Sequence, residues 1–323
     1  MSTHIPSFSK INLGLAIGPS RPDGFHALST IYQTLASHDM VTISCQRSAK
    51  TSIKITSNHP KVPLDDTNTA WKMAEQTLMH MRISAEVNIH IEKNLPVQGG
   101  LGAGSANAIA ALIGLEHELD KSLTETERFD IAREIGSDVP LFLVGGTVLG
   151  LNRGEDVYPL PNLPKIYCVI AIPPIAISTS QAFRDWDNMM KKTSHINSNQ
   201  ILIAPEKSDQ LKLLNYILEP THIPTGNPLL TLVCAGIEND FESVIFSLHP
   251  SLRQLKDLLT GSESTSGQAI YAALSGSGSA VFGLYSTEQE AKVAKERIFE
   301  FTARELPLTK ILSTTTLGSD IMD

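Results

Sequence analysis

The chain has 323 residues, 41% hydrophobic and 19% charged, enough for one large or two ordinary globular domains and too apolar for a disordered chain. A formal net charge of −8 excludes a broad basic surface for nucleic acid, so an anionic ligand must be held by local donors. Three scattered cysteines, Cys45, Cys168 and Cys234, exclude a disulfide framework or zinc cluster, and no segment approaches the roughly 18–20 apolar residues of a membrane span.

The opening "MSTHIPSFSK" shows neither a signal h-region nor an arginine-rich transit pattern, so a reducing cytoplasm and no membrane partner are expected. "KINLGLAI" then alternates, with Ile11, Leu13, Leu15 and Ile17 on one face and Lys10, Asn12 and Gly14 on the other. "SIKITSN" and "EVNIHIE" read as strands by the same test, the second with Val87, Ile89 and Ile91 inward. Next comes "LPVQGGLGAGSANAIAALIGL", a glycine cluster entering an Ala-rich run in which Ile109, Leu112 and Ile113 keep helical spacing. That helix is expected to be buried on most sides. Thr124 and Glu127 form a capping box opening a helix whose apolar face is Phe129, Ala132 and Ile135 and whose stop is Gly136.

Beyond the apolar stretch "VPLFLVGGTVLG", the run "KIYCVIAIPP" predicts a strand covered on both faces, with Cys168 a buried reduced thiol. From Asp187 to about Thr225 the chain is polar with little periodicity, a flexible insertion or a loop-rich helical region. A second glycine-serine cluster in "ALSGSGSAVFGLY" precedes an alternating strand, and Thr287 with Glu290 caps a final amphipathic helix. Strands and helices mix without strict βαβ alternation, so the expected class is α+β.

Glycine costs more backbone entropy on folding than any other residue, so four in six positions need a reason. A glycine loop opening a helix presents unblocked N–H groups at the positive end of the helix dipole, which is a phosphate site. It is not a Walker loop, because Ser105 follows Gly104 with no lysine between them. It fits a dinucleotide loop poorly, because the third glycine of "GLGAG" comes one residue early. A tight turn with close strand–helix packing remains the plain alternative.

"LPVQGGLGAGSANA" resembles the second motif of the GHMP kinases, "PSFSKINLGL" their first and "ALSGSGSAVFGL" their third, in the family's order. "RPDGFHALSTIYQTL", "GSDVPLFLVGGTVLGLNRGE" and "ENDFE" resemble the branch that acts on a cytidyl diphosphate ester of methylerythritol in non-mevalonate isoprenoid precursor synthesis. The resemblance implies a two-domain GHMP kinase fold with the active site in the cleft between domains. The ATP-binding domain would cover 1–160 and the C-terminal domain 161–323. This chain has Phe25, Ala106 and Leu274 where the family often has Tyr, Ser and Met.

The reaction implied is transfer of the ATP γ-phosphoryl group to a hydroxyl of that ester, with Mg²⁺ implied by the ATP chemistry. By resemblance Asp138 is the base and Lys10 its partner, stabilising negative charge. ATP falls to Asn68, Lys93, Val97, Gln98, Gly99, Gly100, Leu101, Gly102, Ala103, Gly104, Ser105, Ala106 and Asn107. The substrate falls to Asn12, Phe25, His26, Thr179 and Phe183, with Phe25 and Phe183 clamping the cytosine and His26 reading its edge. The second glycine loop, Ser275, Gly276, Ser277 and Gly278, would close over phosphates or substrate, or form a structural turn.

Three other functions compete. A dinucleotide oxidoreductase would use Asp120 on a ribose but leaves "DGFH" and "SGSGSA" without a role. A non-catalytic nucleotide-binding module would not need both Lys10 and Asp138. Another GHMP kinase, for homoserine, mevalonate or a sugar, would have no cytosine to clamp.

Overall fold

The computed structural model describes residues 2–97, 99–196, 228–234, 237–262 and 266–319. The chain groups into two compact units, one of Met1–Ile11, Tyr32–Asn162 and Leu317–Asp323, the other of Asn12–Ile31 and Leu163–Thr316. Mixed sheets and helices make the class α+β, as the sequence predicts.

The first unit is built on a six-stranded sheet. Its path is β3 (Ser52–Ser57), β4 (Ala85–Glu92), β2 (His26–Arg47), β5 (Thr147–Asn152) and β6 (Asp156–Pro159), and β1 (Thr3–Ser20) pairs with β2. β4 alternates buried and exposed along its whole length, with Ala85, Val87, Ile89 and Ile91 inward. Helices α1 (Thr69–Met81), α2 (Ala103–Leu119), α3 (Glu125–Ile135) and α4 (Leu141–Val144) belong to the same unit. In α2 the run Ala106–Leu112 is wholly buried, because its small side chains let neighbours approach on nearly every side.

The expected capping box of α3 is present, with the Thr124 side chain bonded to the Glu127 backbone and the Glu127 carboxylate to Thr124. Its inward face is narrower than the spacing predicts. Ile131 and Ala132 are buried, while Phe129 and Ile135 are half-buried, and Phe129 lies under the Arg133 guanidinium at 5.6 Å. β1 departs further from the simple pattern. Lys10 and Asn12, expected on the face opposite the apolar one, are as buried as the apolar residues between them, because polar partners cover that face.

The second unit carries a four-stranded antiparallel sheet ordered β10 (Lys310–Thr315), β7 (Tyr167–Ile172), β9 (Val281–Tyr285) and β8 (Tyr271–Leu274). β7 is covered on both faces as its apolar run requires, and burial pushes the Cys168 thiol well above its ordinary pKa. β9, expected to alternate, is buried throughout because it lies between two partner strands with both faces covered. The helices are α5 (Thr179–Ile196), α6 (Pro228–Cys234), α7 (Phe241–Leu248), α8 (Pro250–Thr260) and α9 (Glu288–Glu305), the last opened by the expected Thr287–Glu290 box.

α5 corrects part of the polar stretch. Ala182 and Phe183 anchor its first turns in the core, and the helix then runs on through Asp187 to Ile196 despite its polar composition. The rest of that stretch, 197–225, lies outside the described residues. Among the described residues no helix is long and apolar enough to cross a membrane.

Candidate active site

β1 delivers Lys10, and the turn after α3 delivers Asp138. Lys10 Nζ lies 3.2 Å from Asp138 Oδ2, with the lysine 3% exposed and the carboxylate 36% exposed. On the other carboxylate oxygen, the Tyr32 hydroxyl donates to Oδ1 at 3.0 Å. Lys10 Nζ also stands 5.5 Å from the centre of the Tyr32 ring. Burial first, then the charge and hydrogen bond of Asp138, hold the Tyr32 phenol well above its usual pKa, so it remains a donor near neutral pH. A buried ammonium and a half-exposed carboxylate, oriented from both oxygens, can accept a proton and steady negative charge beside it.

The first glycine loop packs against the same strand. Lys10 N–H donates to Leu101 O at 2.9 Å, and Gly102, at φ +69°, is the N-cap of α2. No side chain caps α2, so its first N–H groups are open to an anion. The space at Gly102 is already taken: a Cβ there would meet Lys10 Cγ and Phe142 Cζ, each at 2.9 Å. Gly104 is exposed and Ser105 half-buried in the first turn, whereas Leu101, Ala103, Ala106 and Asn107 are buried. Val97, Gly99 and Gly100 are half-buried, and Gln98 lies outside the described residues.

Two of the residues expected near ATP hold backbone. Asn68 caps α1, accepting from Ala70 N at 2.9 Å and donating to Pro63 O at 2.7 Å. Its neighbour Thr69 donates to Gly104 O at 2.6 Å, tying α1 to the loop. The Lys93 ammonium pairs with Asp39, which is fully buried. Asp39 Oδ1 also accepts from Asn94 N and Leu95 N, both at 2.8 Å, at the entrance to the glycine loop. The orientation that satisfies both ends of the Asn107 amide has its nitrogen donating to Asp39 Oδ2 at 3.3 Å and Ala103 O at 3.2 Å.

The second unit gathers the residues expected at the substrate. Asn12 donates to Thr30 Oγ1 at 2.8 Å, and Thr30 to Gly14 O at 2.7 Å. The His26 and Phe183 rings are parallel within 3°, their centres 5.3 Å apart, and Phe183 meets Phe241 edge-on at 4.9 Å. His26 Nδ1 lies 2.9 Å from Gly18 O and Nε2 lies 3.2 Å from Asp187 Oδ1, while Phe25 is 51% exposed. Thr179, at the start of α5, is 2.8 Å from the Ser277 hydroxyl. The second glycine loop joins the antiparallel strands β8 and β9, so it is the connection of a hairpin.

Two family matches cover the second and third glycine-bearing motifs. The GHMP kinases N terminal domain matches residues 68–146, and the GHMP kinases C terminal domain matches 227–303. A 4-diphosphocytidyl-2-C-methyl-D-erythritol kinase of Solibacter usitatus is 32% identical over 94% of this chain and 88% of its own length. One of Caldicellulosiruptor bescii is 32% identical over 98% of this chain and 99% of its own. The chain belongs to this family of GHMP kinases.

Solved structures show the same fold. A 4-(cytidine 5'-diphospho)-2C-methyl-D-erythritol kinase superposes with a TM-score of 0.69 at 23% identity, covering 98% of this chain and 100% of the other. A homoserine kinase from Cytophaga hutchinsonii gives 0.72 at 18%, covering 98% and 96%. The chain is thus a kinase of small molecules, and membership implies ATP as phosphoryl donor.

Three residues that hold this kinase's site together escape a reading of its motifs. Asp39 and Tyr32 sit in the long strand β2, where nothing local marks their distant partners. Asn239 lies within "ENDFE". Its amide donates to Leu274 O and Gly276 O, both at 2.8 Å, and its oxygen accepts from Phe241 N at 3.0 Å. Glu242 of the same motif accepts from Leu274 N at 2.8 Å and from Lys256 at 2.6 Å. The repeated polar spacing of "ENDFE" was the available signal.

Proposed function

We propose that this kinase transfers the γ-phosphoryl group of ATP to the 2-hydroxyl of 4-diphosphocytidyl-2-C-methyl-D-erythritol, a step of non-mevalonate isoprenoid precursor synthesis. The observation that carries the chemistry is the Lys10–Asp138 pair at 3.2 Å, and the names of relatives matching nearly end to end carry the substrate. Asp138 accepts the hydroxyl proton as the oxygen attacks phosphorus, and Lys10 steadies the charge on the acceptor oxygen and the transferring group. Backbone N–H groups of the glycine loop and the start of α2 hold the phosphates, Gly104 being the exposed member and Ser105 half-buried beside it.

Asn68, Lys93 and Asn107 shape that backbone from behind. Among the described residues no three acidic, His or Cys side chains converge on a metal. Mg²⁺ would therefore be held chiefly by the triphosphate, with Ser105 the hydroxyl beside it, and would supply charge neutralisation. Asn12, Phe25, His26, Thr179 and Phe183 hold the cytidyl ester, and Asp187 yields His26 Nε2 to the base. The ATP-binding domain of this reading is 1–160 and the C-terminal domain 161–323, in the cytoplasm.

The test is ATP consumption by the purified chain against the cytidyl ester, homoserine, mevalonate and galactose. Turnover of the cytidyl ester alone is expected. Turnover of only one of the other three overturns the substrate while leaving the family intact.

A further inference from the structure

Tyr32 has no assigned role within the stretch "RPDGFHALSTIYQTL" that contains it, yet it touches the central pair. Its ring is 2% exposed on β2 and its hydroxyl donates to Asp138 Oδ1 at 3.0 Å. Lys10 Nζ holds Oδ2 at 3.2 Å, so the carboxylate is held from both oxygens. Each carboxylate oxygen keeps a second lone pair, and the 36% exposure of the side chain leaves one accessible to an acceptor hydroxyl. Space for the phenol oxygen comes from Gly154, in the turn between β5 and β6, where a Cβ would collide with the Tyr32 hydroxyl. The charged groups facing it are Lys10 from β1, Asp138 after α3, and the buried Glu155, which Arg153 pairs at 2.9 Å.

We infer that Tyr32 is a positioning residue for the catalytic base, its hydroxyl aiming the Asp138 carboxylate. The inference rests on Asp138 being that base. Removing the donor leaves the carboxylate held from one oxygen by Lys10 and free to turn, so turnover falls while the binding of both substrates is kept.

The experiment measures kcat and KM of the full chain as wild type, Tyr32→Phe and Asp138→Asn, with the cytidyl ester and ATP, beside thermal unfolding. Tyr32→Phe is expected to lower kcat about tenfold and leave both KM values unchanged, the scale of one lost bond to a charged group. A folded Tyr32→Phe with wild-type kcat, beside an inactive Asp138→Asn, overturns the role of Tyr32 and leaves the base standing. An Asp138→Asn enzyme with wild-type turnover overturns the base, and the inference with it. If Tyr32→Phe fails to fold, Gly154→Ala, which displaces the hydroxyl and keeps the phenol, is read by the same criteria.

Discussion

Gly102→Ala adds one carbon at a place where the structure leaves no room for it. The residue has φ +69°, a region that costs an L side chain about 1–2 kcal/mol. The new Cβ would stand 2.9 Å from Lys10 Cγ and 2.9 Å from Phe142 Cζ, and 3.2 Å from Lys10 Cε. Phe142 is buried in the core and cannot swing aside, so the lysine stem must give way. Overpacking of this kind costs about 1–3 kcal/mol, and the total loss of stability should be about 2–5 kcal/mol. The kinetic effect is larger than that of a lost contact, because moving Lys10 by about 1 Å away from Asp138 can cost about a hundredfold in kcat.

Gly104→Ala is the internal control. Its Cβ would meet only Thr69 Oγ1, at an ordinary 3.5 Å, and alanine favours a helix by about 1 kcal/mol over glycine. Gly104→Ala should therefore be as stable as wild type or more so, with a raised KM for ATP if phosphate approaches that backbone. Thermal unfolding and initial rates at varied ATP read both variants. A Gly102→Ala enzyme with wild-type kcat would show that Lys10 need not hold its present place. An unchanged KM in Gly104→Ala would remove that position from the phosphate site.

Asp138→Asn keeps the shape of the side chain and removes its basicity, so initial rates should fall by about 10²–10⁴ in an enzyme that still folds, with some stability lost because the buried Lys10 ammonium loses its carboxylate. Phe183→Leu retains apolar contact with the core and loses the aromatic face beside His26. The KM for the cytidyl substrate should rise about fivefold to 150-fold, with that for ATP nearly constant. His26→Ala should in addition erode discrimination between cytidyl and uridyl substrates. Asn239→Ala leaves the Leu274 and Gly276 carbonyls without their donor in the interior, an expected loss of about 1–3 kcal/mol in denaturant unfolding. Lys93→Met leaves the Asp39 carboxylate buried without its cation, which should cost about 3–5 kcal/mol and be partly restored by adding Asp39→Asn. A Lys93→Met enzyme of unchanged stability and raised KM for ATP would instead make the lysine a direct nucleotide contact.

What could be read in advance follows from how far a residue's partner lies along the chain. The capping boxes of α3 and α9 are four-residue statements, and both formed as spaced. β4 alternates because one of its faces meets the core and the other does not. The failures share one cause. Period-two reading takes a polar face to be a solvated face, yet Lys10 and Asn12 are buried because their partners arrive from elsewhere in the chain. The distance from Tyr32 to Asp138 is 106 residues, and from Asp39 to Lys93 it is 54, so no local pattern joins them.

That same pairing sorts the motif residues by what they can still do. Asn68 and Asn107 spend their polar atoms on backbone and on buried partners, and Lys93 is drawn to Asp39. Taking one away changes the position of a loop before it changes any contact with a ligand. Asp138 keeps a third of its side chain open, and Gly104 and Thr179 lie at the surface. These can meet a phosphate or a hydroxyl without first breaking something. A glycine-rich motif mixes both kinds within a few residues: Gly102 is small so that Lys10 can pass, and Gly104 is small where the backbone faces out. One composition thus answers two physical demands, one inside the fold and one at its surface, and only the contacts of each residue tell them apart.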